Sequence, residues 1–128
     1  MLFRSQPQSL VAPQGKTAND RRALAAITSA NNAPANADSG VDCSQWSELL
    51  ATARCNKSAD GDSFRLNIWW LDPNSLLWAV DSDIGTKTVT EGTITQLGLL
   101  CKGACRVYAQ VSSLSASASA DVWLTGTK

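Results

Sequence analysis

Large apolar side chains are scarce over residues 1–40 and recur with a period of two over much of residues 41–128. That period sends alternate side chains to opposite faces of a strand. Phe64-Arg-Leu-Asn-Ile-Trp-Trp-Leu71 places Phe64, Leu66, Ile68 and Trp70 on one face. Asp72-Pro-Asn-Ser75 has the residue chemistry of a turn. Residues 76–80 then return as an antiparallel partner, with Leu76, Trp78 and Val80 together. Thr-rich strands are expected over 86–90 and 93–100, separated by Glu91-Gly92. Residues 106–111 alternate with Val107, Ala109 and Val111 facing in, and 120–125 close the chain. Residues 44–55 suit a helix through Leu49, Leu50 and Ala53, and a strand through Leu49, Ala51, Ala53 and Cys55. The surrounding run of short strands favours the strand. Sequential hairpins exclude a parallel sheet. The expected fold is mainly β: an antiparallel β-sandwich of about seven or eight strands, jelly-roll or Ig-like in order.

The first 40 residues read differently. Pro7 and Pro13 make residues 1–16 extended coil. Thr17-Ala-Asn-Asp20 followed by RRALAAI predicts one short helix over about residues 19–29, with Leu24 and Ile27 as its apolar contacts. Residues 31–40 have the composition of a linker. The expected organisation is an extended N-terminal arm over 1–40 and a β-sandwich domain over 41–128. Ordering such an arm costs roughly 1–2 kcal/mol per residue. Recovering that total takes on the order of 2,000 Å² of apolar burial. So polar an arm points to neighbouring chains as the source, with Phe3, Leu10, Val11, Leu24 and Ile27 as the contacts.

Charge changes this picture little. The chain is formally neutral. Arg4, Lys16, Arg21 and Arg22 against Asp20 and Asp38 leave the arm at +2 and the body at −2. Neither makes the clustered basic footprint of a nucleic-acid partner. No stretch approaches the roughly 20 apolar residues of a membrane helix, and the start lacks the roughly 7–15-residue apolar run of a signal peptide. Neither nucleic acid nor membrane is an expected partner.

All four Cys and all five Trp lie in the body. Cys43 and Cys55 are too widely spaced for a zinc pair; Cys101 and Cys105 fit one, but the chain has no His. Buried thiols are the first reading, and a Cys101–Cys105 bridge is the second. The pairs Asp60/Asp62 and Asp81/Asp83 could flank a substrate or start a calcium loop, but each sits beside Gly and Ser, where Asp builds turns. No Cys or Ser has a His partner, and no Gly-rich phosphate cradle occurs. Asn56-Lys-Ser58 matches a glycosylation acceptor by coincidence. No catalytic, cofactor or metal residue is assigned. Trp69 and Trp70 are adjacent and must face opposite ways; Trp70 joins the core, and Trp69 faces out. Trp123, between Val122 and Leu124, is a second outward candidate. An exposed Trp asks for a partner: a neighbouring subunit, a sugar ring, or a second layer made by the chain itself.

The phrases Val-Asp-Cys-Ser-Gln-Trp, Phe-Arg-Leu-Asn-Ile-Trp-Trp-Leu-Asp-Pro, Leu-Leu-Trp-Ala-Val-Asp-Ser-Asp, Cys-Arg-Val-Tyr-Ala-Gln-Val and Ala-Asp-Val-Trp-Leu-Thr-Gly run in that order over residues 41–126. In style of strand and turn they resemble small β-sandwich virion proteins of tailed bacteriophages, among them decoration (cement) proteins. The resemblance implies a non-enzymatic capsid protein of the virion, assembled in the host cytoplasm, that locks neighbouring subunits. Its expected partners are the major capsid protein, other virion subunits and further copies of itself. The alternative expectation is a carbohydrate-binding or adhesin β-sandwich module, with Trp69 and Trp123 as stacking platforms.

Overall fold

The computed structural model describes residues 18–127, with side-chain environments from residue 27 onward. Among the described residues nine strands form: β1 (Ala18–Ile27), β2 (Val41–Asp42), β3 (Glu48–Asn56), β4 (Ser63–Leu71), β5 (Trp78–Val80), β6 (Lys87–Thr90), β7 (Ile94–Leu100), β8 (Arg106–Ser112) and β9 (Ser119–Thr127). They make two antiparallel sheets. Sheet A runs β1-β9-β3-β7; sheet B runs β2-β8-β4-β5, with β6 also pairing β4. β5 takes the C-terminal half of β4 and β6 the N-terminal half, so the two share one edge position. The chain changes sheet at every connection except those that lead from β4 through β5 to β6. That is the jelly-roll path, one of the two sandwich orders expected from the sequence.

Inward faces follow the alternation. Leu49, Ala51, Ala53 and Cys55 of β3 are buried, as are Phe64, Leu66 and Ile68 of β4 and Val107, Ala109 and Val111 of β8. The ambiguous residues 44–55 therefore resolve as strand from Glu48 onward. Small residues in the middle of β3 let the two sheets approach. Gly126 does the same on β9: a Cβ there would overlap the Trp46 indole, which lies buried against that backbone.

One local expectation is overturned. The helix expected over 19–29 is strand β1, paired antiparallel with β9 from Ala18↔Thr127 to Ile27↔Ala120 with two register shifts. Its residues are good helix formers, but an open edge of β9 offers a ladder of backbone partners, and tertiary pairing overrides local propensity. The first strand of the jelly roll thus lies within the segment expected to be a free arm. Ile27 packs, partly buried, against the chain's own core.

The link from β1 to β2 is also fastened to the body. Asn31 N–H donates to Val111 O at 3.0 Å, and Asn31 Oδ1 accepts from Val111 N–H at 2.6 Å. Residue 31 thereby occupies the edge of β8 that the two-residue β2 leaves uncovered. Tyr108 Oη donates to Asn32 O at 2.7 Å and Trp78 Nε1 to Asn36 O at 2.9 Å. Arg106 Nε donates to Ser39 O at 2.8 Å, and one terminal nitrogen reaches Asp38 O and Gly40 O. Residues 31–40 are therefore a strap that starts at the β8 edge and crosses the outer face of sheet B as far as Trp78. It is held by polar bonds, which a count of apolar residues does not reveal.

Candidate assembly surface

The strap and β1 close one flank of the sandwich; the opposite flank is open. There β7 is the outer strand of sheet A, and β5 and β6 are the outer strands of sheet B. β7 reads Ile-Thr-Gln-Leu-Gly-Leu-Leu and carries no charge and no proline. Thr95, Leu97 and Leu99 pair with Ala53, Ala51 and Leu49. Just beyond the strand, Cys101 N–H donates to Ser47 O at 3.0 Å. Main-chain direction alternates along a strand, so the amides of Leu99, Leu97 and Thr95 also point toward β3. Those of Leu100, Gly98, Gln96 and Ile94 point away. Among the described residues no group hydrogen-bonds β7 on that free side.

The free edge has an apolar rim. Ile94 is 64% exposed and Leu100 60%. Two shallow clefts flank it between the sheets. One, of about 320 Å³, is lined by Trp70, Leu77, Val80, Leu100 and Cys101; the other, of about 400 Å³, by Ile84, Leu97 and Leu100. Leu77, 69% exposed, stands at the tip of the turn after β4. That turn is built by Asp72, whose Oδ2 accepts from the Asn74 and Ser75 amides. Backbone hydrogen bonds from Ser75 and Asn74 hold its carboxyl below the ordinary value of 3.8. Leu76 beside it takes φ +57°, a left-handed conformation uncommon for a leucine. The turn spends backbone strain to leave two leucines in solvent. Edge strands of soluble proteins are usually blunted by charge, proline, bulges or cover. β1 has two register breaks and the sequence Asp20-Arg21-Arg22; β7 has none of these.

The other candidate residues fall elsewhere. Phe3, Leu10 and Val11 lie outside the described residues, and Leu24 is placed only as backbone opposite Val122. Trp69 is half-buried on the outer face of sheet B, its Nε1 donating to Gln110 Oε1 at 2.9 Å. Trp123 is half-buried on the outer face of sheet A, beneath the Arg54 guanidinium at 5.3 Å. The two indoles are on opposite sides of the sandwich and make no common platform. Trp70 packs against the core and donates to Asp81 Oδ2 at 2.8 Å. Trp78 of β5, not singled out from the sequence, meets Tyr108 of β8 across the outer face of sheet B, under the strap.

One aspartate of each pair builds a turn, and the other meets a lysine. Asp62 Oδ2 accepts from the Ser58 and Ala59 amides, which, led by Ser58, hold its carboxyl below 3.8. Asp81 Oδ1 accepts from the Asp83 and Ile84 amides, and Asp83 meets Lys102 at 3.4 Å. Buried Asp121 receives Arg54 at 2.8 Å and Asn56 Nδ2 at 3.0 Å, tying β3 to β9. Among the described residues no group of His, Cys, Asp or Glu is arranged to hold a metal ion.

No protein-family model matches this chain, and no curated protein sequence matches it. A search of solved structures finds a chain from work described as "Bacillus endospore appendages form a novel family of disulfide-linked pili". The match covers 94% of this chain and 97% of that one, at 15% identity and a TM-score of 0.43.

Proposed function

We propose that this protein is a non-enzymatic structural subunit that joins neighbouring subunits by extending sheet A across its free β7 edge. The observation that carries the proposal is the uncapped, uncharged seven-residue strand rimmed by Ile94 and Leu100. Strand addition at such an edge gains a ladder of main-chain hydrogen bonds, with side-chain contacts setting specificity. The resemblance to capsid decoration proteins supports a virion as the setting.

The first partner is a second copy of the chain. Two β7 strands meeting antiparallel about a two-fold through Leu97 set Ile94 opposite Leu100 of the other copy, and Gln96 opposite Gly98. All four are residues whose amides face outward, so the register that pairs the free donors and acceptors also pairs the exposed apolar side chains. Such an interface is self-complementary, as a two-fold requires. Cross-strand apolar pairs of this kind contribute roughly 0.2–1 kcal/mol each beyond the ladder itself.

Sedimentation velocity of the full chain over a range of concentrations tests this. Mass should double with concentration for the natural sequence and stay at one copy for Ile94→Lys combined with Leu100→Lys, with circular dichroism unchanged. Equal association of the double variant would remove β7 as the interface. A natural chain that stays single at every concentration yet binds capsid particles through β7 would replace the second copy with a capsid subunit.

A further inference from the structure

Three of the four cysteines gather at one end of the sandwich. Cys43 follows β2, Cys101 follows β7, and Cys105 precedes β8. Cys43 N–H donates to Cys105 O at 2.9 Å, and Ala104 N–H closes the Lys102-Gly103 turn onto Cys101 O at 2.9 Å. Lys102 and Gly103 both have positive φ, 52° and 84°, so this turn is tight. The thiols take different partners. Cys105 Sγ donates to Leu71 O at 3.5 Å. Cys43 Sγ donates to Ala104 O at 3.5 Å, in the turn that Cys101 opens, and Cys43 and Cys101 share the buried core cluster.

We propose that Cys43 and Cys101 are a disulfide site, oxidised by exchange with a low-molecular-weight disulfide that enters through the cleft beside Leu100. This pairing differs from the Cys101–Cys105 bridge that sequence spacing offered. The Cys101 thiolate attacks one sulfur of glutathione disulfide, forming a mixed disulfide and releasing one glutathione thiolate. Cys43, which shares the buried core with Cys101, loses its proton to that thiolate and attacks Cys101, releasing the second glutathione. Two protein thiols and one glutathione disulfide become one protein disulfide and two glutathione thiols. Cys101 reacts first because it borders the cleft and keeps 3% exposure, where Cys43 keeps none. Cys43 is wholly buried, and burial, then the adjacent Cys101 sulfur, push its thiol up to about 12, so it does not meet outside reagents directly. The bond would tie the β2–β3 connection to the turn leaving β7 and close a long loop of the unfolded chain. The bridge joins two residues of one chain and needs no second copy, although its cleft borders the β7 edge at Leu100.

The test is exchange of the native full chain with oxidised glutathione, followed by alkylation in denaturant and peptide mapping. The chain's four thiols should fall by two, with Cys43 joined to Cys101 and with Cys55 and Cys105 alkylated. The melting temperature should rise on oxidation and return with dithiothreitol. Cys105→Ser should keep the bridge, whereas Cys101→Ser and Cys43→Ser should each lose it. Four free thiols after exchange, a bridge that forms only in denaturant, or a bridge kept by Cys101→Ser and lost by Cys105→Ser would overturn the assignment.

Discussion

Trp78 and Tyr108 meet edge to face outside sheet B, with ring centroids 6.1 Å apart and planes at 65°. Each also spends its polar atom on the strap: the indole N–H on Asn36 O and the phenol on Asn32 O. The pair thus fastens residues 31–40 at two points. Beneath this flank Leu71 is 1% exposed, though strand alternation turns it outward with Trp69. Burial raises the Tyr108 phenol above its ordinary value, so it remains a donor well into alkaline solution. Tyr108→Phe should cost about 1 kcal/mol, the net worth of one hydrogen bond. The sharper readout is amide exchange, which should quicken at residues 31–36 and stay unchanged in β3 and β9.

Arg106 fastens the other half of the strap by reaching the carbonyls of Asp38, Ser39 and Gly40. A planar guanidinium can serve several acceptors in one plane; an ammonium cannot. Arg106→Lys should therefore behave nearly like Arg106→Ala. Each should lose roughly 1.5–3 kcal/mol, the range for hydrogen bonds from a charged donor. Urea unfolding of the two variants side by side checks this. Full rescue by lysine would show that charge alone, not the fork, holds the strap.

These fastenings mark where sequence reading stops. β3, β4 and β8 were legible because one buried face repeats every second residue. β1 was not: Ala18–Ile27 carries a helix-forming composition, and only the neighbouring β9 edge makes it a strand. Residues 31–40 read as linker because their attachment uses backbone carbonyls, which leave no trace in side-chain pattern. Adjacency in a strand puts Trp69 and Trp70 on opposite faces, but the partner of the outer Trp69 is Gln110, distant in sequence. The open β7 edge was hidden as well. Its composition suits any strand, and what distinguishes it is a missing neighbour, a property of topology.

Packing gives a prediction at Gly126, whose backbone lies against the Trp46 indole. Gly126→Ala drives a methyl into that ring and should cost about 1–3 kcal/mol, as overpacking does. In a Trp46→Leu background the added methyl meets a smaller side chain, so the two changes together should cost less than their sum. Thermal unfolding of the four chains in this cycle gives the coupling. Additive costs would mean that the alanine harms the β9 ladder rather than the indole contact.

Acid stability follows from three carboxylates that the fold keeps ionised. The Ser44 hydroxyl, donating first among the causes, lowers Asp42; the Ser58 amide lowers Asp62; the Ser75 amide lowers Asp72. Each has a folded value below its unfolded one. Its contribution is therefore complete above pH 3.8, the ordinary value, and lost as pH falls through the lower folded values. Melting temperature should be flat from these groups between neutrality and about pH 5 and fall below about pH 4. Asp62→Asn should start lower at neutral pH and fall less steeply, since it has no proton to gain.

The two sides of β7 make opposite demands on proline, which removes one amide donor. Leu97 N–H faces β3, where Leu97 pairs with Ala51, and its side chain packs against the core. Leu97→Pro should break that ladder and the core contact together, costing the chain its cooperative unfolding. Gln96 N–H faces the free edge, where a proline is tolerated because no internal bond is lost. Gln96→Pro should therefore keep a native circular dichroism spectrum and a melting temperature within a few degrees of the natural chain. It should nonetheless abolish concentration-dependent association, because the missing donor and the added ring block an incoming strand. The paired measurement is sedimentation velocity and thermal melting on the same preparations. If Gln96→Pro unfolds the chain and Leu97→Pro does not, the free and bonded sides of β7 are exchanged. If Gln96→Pro folds and still associates, the subunits meet through another surface.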